Sequence, residues 1–79
     1  METIRDLIIA VIHNIDKRHY MTASVFANSA YLYAFEEKGL KFLISNLNSV
    51  DTRIMYKDYY GARHYAKMVL NEIEALSIA

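Results

Sequence analysis

The sequence predicts an all-α fold, a three-helix bundle in which helices 2 and 3 form a long antiparallel hairpin and a shorter N-terminal helix packs beside them. Three observations lead there. The chain has no proline and only two glycines, Gly39 and Gly61, so long helices are permitted almost everywhere. Apolar residues recur at helical spacing along most of its length. Polar, turn-forming residues gather in two places, DKRHYMT from Asp16 and SNLNSVD from Ser45.

The first helix is expected over about residues 2–17. Ile4, Ile8, Val11 and Ile15 step by four, three and four and line one face, with Leu7 and Ile12 widening the stripe and Ile9 outside it. Lys17, Arg18 and His19 then complement the helix dipole at its C-terminal end. Thr22 offers a cap for the second helix, expected over about 23–47. Its seam reads Phe26, Ala30, Tyr33, Glu37, Leu40, Ile44 and Leu47. Gly39 also reads as a helix end followed by hydrophobic Leu40. The apolar spacing keeps its phase across the glycine, however, and favours a continuous helix. In SNLNSVD the asparagines and serines signal a turn, with Ser49 as the cap. The third helix follows over about 50–76, with the seam Met55, Tyr59, Ala62, Ala66, Val69, Ile73 and Leu76. No convincing internal repeat stands out, and residues 1–79 read as a single helical domain.

At about 1.5 Å per residue the first helix is about 24 Å long, against roughly 37–40 Å for the other two. Its cover ends near Glu37. The far end of the hairpin, with Leu40, Phe42, Leu43, Leu47, Met55, Tyr56, Tyr59 and Tyr60, is then bare, and these residues are the expected partner or oligomer interface. A chain of 79 residues buries only about 60% of its unfolded surface, so its core is marginal. With no cysteine, neither disulfides nor thiolate metal sites support it. Hydrophobic residues make up 54% of the chain, above the usual range of about 45–50%. A second copy is the simplest cover, which makes a homo-oligomer, with a dimer favoured, the expectation.

Two further groups of residues stand out. Glu37 places a carboxylate on an otherwise apolar seam. As a buried polar candidate it needs a partner such as Tyr59 or Arg63, and would then set register; in the blander reading it reaches solvent beside Lys41. Tyr56, Tyr60, Arg63 and Lys67 form a row one turn apart, with His64 beside it, suited to stacking on a base and holding phosphate. The same residue types are enriched in protein interfaces.

Nine basic and nine acidic side chains give zero net charge, which argues against a strongly basic nucleic-acid binder and against an acidic mimic of DNA. His13, His19 and His64 lack metal-ligand spacing, and neither a glycine-rich phosphate loop nor a nucleophile elbow is present. No enzyme, metal or cofactor is therefore expected. The apolar run from Leu7 to Ile12 is too short to span a bilayer and lacks the flanks of a leader, so no membrane association and a cytoplasmic location are expected.

The stretch DKRHYMTA, then Ala30 and RIMYKDYYGAR, resembles the landmarks of three-helix MIT domains. That resemblance implies a domain of about this size that binds short helical peptide tails between helices. The apolar excess departs from that family's more charged pattern, and no residue role is carried over. The expected function is that of a small, non-catalytic intracellular module for protein interaction or regulation, acting as a homo-oligomer. The alternative is an oligomeric binder of a nucleotide or short nucleic acid through Tyr56, Tyr60, Arg63 and Lys67.

Overall fold

The computed structural model describes residues 2–78, with side chains for residues 3–76. It contains four α-helices, not three: α1 (Glu2–Asp16), α2 (Tyr20–Glu36), α3 (Ile44–Met55) and α4 (Tyr59–Ile78), with a 3-10 segment (Lys38–Leu43) between α2 and α3. No strand occurs among the described residues. The all-α expectation stands; the three-helix bundle with its long hairpin is corrected.

The correction has a physical cause. The expected long second helix ends at Glu37, whose backbone is extended (φ −95°, ψ 113°). Gly39 is not a left-handed cap, since no glycine has positive φ; it lies within the 3-10 segment. Breaking the helix forfeits a few backbone hydrogen bonds, each worth about 1 kcal/mol net. In return the chain folds back, and Leu40, Leu43, Leu47, Val50 and Ile54 all become buried. Covering each such side chain is worth about 1.5–3 kcal/mol, so burial wins over helix continuity. The expected turn at SNLNSVD therefore lies inside α3, where the weak helix preference of Asn and Ser costs only a few tenths of a kcal/mol per residue. Ser49 is not a cap there. Its hydroxyl donates back to the Ser45 carbonyl at 3.2 Å, the bond a mid-helix serine makes.

The bundle is assembled from two hairpins, α1–α2 and α3–α4, with α1 also against α4 and α2 against α3. The short connections make each neighbouring pair antiparallel. Both hairpin turns are built alike. Arg18 and Lys57 take the left-handed conformation at φ 62° and 63°. His19 N–H donates to the Asn14 carbonyl and Asp58 N–H to the Arg53 carbonyl, each at 2.8 Å, closing the same helix-ending motif twice. Thr22 is not the cap of α2, which begins at Tyr20 without a side-chain cap. Asp58 does cap α4, its Oδ1 accepting the Gly61 N–H at 3.0 Å. Gly61 leaves room for this cap, because a Cβ there would push against the Asp58 carboxylate and displace it.

The likeness of the two turns extends to the whole chain. A shift of 39 positions (Ile4 to Leu43) carries the buried Ile4, Ile8, Val11, Ile15, Ala23, Ala27, Ala30 and Ala34 onto Leu43, Leu47, Val50, Ile54, Ala62, Ala66, Val69 and Ile73, all buried. The fold is thus an internal repeat, in which α1–α2 corresponds to α3–α4 and the α1–α4 contact to the α2–α3 contact. Tyr20 and Tyr59, equivalent under that shift, stack face to face between the two halves, with ring centroids 3.5 Å apart and planes within 1°. The core is aliphatic and alanine-rich, with no buried polar or charged side chain among the described residues.

Candidate functional site

The expected interface divides. Leu40, Leu43 and Leu47 lie in the core of the protomer and present no surface. Tyr59 is half-buried against Tyr20. Phe42, Met55, Tyr56 and Tyr60 are exposed, but they do not form the bare hairpin end anticipated, because α3 folds back along α2. Glu37 is exposed rather than buried; it caps the C-terminus of α2 instead of occupying a seam.

The row of tyrosines and cations is also divided. Tyr60, Arg63, His64 and Lys67 on α4 surround an open cleft of about 120 Å³. Tyr56 stands in the α3–α4 turn, beside a separate cleft of about 370 Å³ lined by Asn48, Ser49, Thr52, Arg53 and Asp58. Arg63 is already engaged. Its Nε and Nη2 donate to the two carboxylate oxygens of Asp16 at 2.7 and 3.3 Å, tying α4 to the end of α1. Ligand pockets commonly measure about 300–1,000 Å³, so the smaller cleft does not enclose a nucleotide. Among the described residues no group of three or more His, Asp or Glu side chains is placed to hold a metal ion.

The hydrogen bond from Arg63 holds the Asp16 carboxyl below the usual carboxylate range. The Gly61 N–H, and after it Arg53, do the same for Asp58. A lowered folded-state value means that the stabilising contribution is present at neutral pH and lost as pH falls through that value, below about pH 4. Both groups are exposed, so the effect is modest and screened by salt. The Asp16→Asn/Asp58→Asn double variant is expected to lose less thermal stability than the parent between about pH 5 and pH 2. Parallel losses in thermal scans would contradict these pairings.

The surface that most needs explaining is one the sequence reading did not select. Between His19 and Glu36 the helix α2 carries no charged side chain. Its inner face consists of Ala23, Ala27, Ala30 and Ala34, all buried. Four of its large apolar side chains point outward, Met21 85% exposed, Val25 60%, Leu32 51% and Phe35 57%, while Phe26, Tyr31 and Tyr33 are half-buried beside the alanines. An ordinary bundle helix does the reverse. The repeat supplies an internal control. The positions on α4 equivalent to Met21, Val25, Asn28, Ser29, Leu32 and Phe35 are Tyr60, His64, Lys67, Met68, Asn71 and Glu74. The same place in the fold is thus served by a largely polar row, so the architecture does not demand the apolar stripe on α2. The signal was present in the sequence, as alanines spaced four, three and four apart on a charge-free helix.

No family model, curated protein or solved structure matches the chain. The four-helix arrangement also departs from the three-helix MIT pattern. No helix among the described residues is long and apolar enough to cross a membrane.

Proposed function

We propose that this chain is a non-catalytic protein-interaction or regulatory module that works as a homo-oligomer, with the outer face of α2 as its docking surface. The observation that carries this reading is the contrast between the two equivalent rows, apolar on α2 and mostly polar on α4. Met21, Val25, Leu32 and Phe35 lie on one face of α2, on either side of Asn28 and Ser29, and covering them recovers on the order of 1–2 kcal/mol per side chain. For a chain whose total stability is roughly 4–12 kcal/mol, that is a large reward for association.

The experiment follows from the control. Replacing Val25, Leu32 and Phe35 by the residues at the equivalent α4 positions gives Val25→His/Leu32→Asn/Phe35→Glu. Light scattering over a dilution series is expected to show the parent above its protomer mass of 9.2 kDa at high concentration. The triple variant is expected to remain at the protomer mass with unchanged helical circular dichroism. Its dissociation constant should be at least about a thousandfold weaker, which corresponds to about 4 kcal/mol. A parent that stays monomeric, or a triple variant that still associates, overturns the reading.

A further inference from the structure

Resting on that reading, we infer that the occupant of the α2 stripe is the α2 stripe of a second copy, packed antiparallel about a twofold axis near Asn28 and Ser29. A twofold interface requires a patch that is complementary to itself. The stripe is close to a palindrome, which lets an antiparallel pair match its two ends. Met21 and Phe35 lie about equally far from its middle, as do Val25 and Leu32, with the small polar Asn28 and Ser29 at the centre. All six side chains are exposed. Antiparallel pairing sets Met21 against the partner's Phe35 and Val25 against the partner's Leu32. A thioether beside an aromatic ring is a favourable contact. Small residues at the crossing let the two helix axes approach to about 8 Å, the close end of the usual range.

Charge points the same way. Lys17 and Arg18 stand at the N-terminal end of the stripe, with His19 beside them and Asp16 engaged by Arg63. Glu36 and Glu37 stand at its C-terminal end, followed by Lys38, with the Lys41 ammonium 5.8 Å from the centre of the Phe35 ring. A parallel pair would bring both copies of Lys17 and Arg18 side by side. An antiparallel pair separates them by about 20–25 Å, well beyond the screening length of about 8–10 Å, and places each beside an end of the partner where Glu36 and Glu37 are balanced by Lys38 and Lys41, so the gain is the relief of like-charge repulsion. A contact confined to one helix face of each copy falls at or below the low end of specific interfaces, about 1,200 Å² in total, which fits a dimer that dissociates on dilution.

The absence of cysteine makes the register directly measurable, since any disulfide must join introduced residues. Asn28→Cys and Ser29→Cys, each alone, are expected to form covalent dimers on mild oxidation, because facing positions at the axis fall within disulfide reach. Met21→Cys alone and Phe35→Cys alone are not. An equimolar mixture of Met21→Cys and Phe35→Cys is expected to cross-link at least about tenfold faster than either alone, through the high effective concentration of facing thiols. Fast self-linking of Met21→Cys would show a parallel pair, overturning this inference while leaving the α2 docking surface intact. Association by light scattering without any of these cross-links would place the interface elsewhere and overturn both. A chain that stays monomeric but co-sediments with lipid vesicles would make a lipid surface the occupant, and would also overturn both.

Discussion

Leu47→Ala is expected to lower stability by about 3–4 kcal/mol, the cost of deleting a fully buried leucine and leaving a cavity behind it. In a domain of this size each kcal/mol moves the thermal midpoint by about 4–8 °C, so the variant should melt at least about 12 °C lower. The measurement separates two architectures. In a long three-helix hairpin Leu47 sits on a bare end, and its truncation would weaken self-association while sparing the fold. In the four-helix bundle it is core, and its truncation weakens the fold itself. Chemical denaturation monitored by circular dichroism reads the difference. A variant as stable as the parent, but poorer at associating, would overturn the four-helix packing. The repeat sharpens the test. Ile8 occupies the equivalent position in the first hairpin and is equally buried, so Ile8→Ala should cost a similar amount.

The second large effect comes from adding rather than removing atoms. Ala27→Leu places a bulky side chain on the inner face of α2, where Ala27 has no exposed surface and the neighbouring inward residues are also alanines. Overpacking a close-packed core costs about 1–3 kcal/mol, and more where the backbone cannot shift. Ala66→Leu should behave alike, because Ala66 is the equivalent residue of α4. Val25→Leu, two residues earlier on the outer face of α2, adds a methylene to exposed surface and should leave stability within about 0.5 kcal/mol of the parent. A reversed order, with Val25→Leu costly and Ala27→Leu neutral, would mean that the inner and outer faces of α2 have been interchanged, and equal stabilities would mean that the two faces do not differ in packing. Either result would also remove the basis for the apolar docking stripe.

Part of the candidate surface was legible in the sequence. Tyr60, Arg63 and Lys67 lie three and four residues apart on an uninterrupted helix, and the structure gathers them around one cleft. Tyr56 was grouped with them by the same spacing, but the turn at Lys57 and Asp58 intervenes and takes it elsewhere. The engagement of Arg63 by Asp16 crosses from α4 to α1, a separation that no local pattern encodes. The α2 stripe was missed because large apolar residues were assumed to face inward. The seam was drawn through Phe26 and Tyr33, whereas the helix buries its alanines and leaves those two aromatics half-covered.

The sequence by itself determined the helical class, the inward face of α1 and the inward row Ala62, Ala66, Val69 and Ile73 of α4. These depend on side chains three or four residues apart, and such spacing is read from a single segment. Only the tertiary structure decided the helix count, the break at Glu37 and the placement of Leu40, Leu43 and Leu47 in the core. Local propensity differs by no more than about 1 kcal/mol per residue around Gly39 and Ser49, so the burial of side chains far apart in the chain settles the outcome. The repeat likewise emerged only in three dimensions. The two halves share few identical residues, Val11 with Val50, Ile15 with Ile54, Tyr20 with Tyr59, Ala23 with Ala62 and Ala27 with Ala66. What they share throughout is which positions are buried, and packing keeps that pattern without requiring the same side chains.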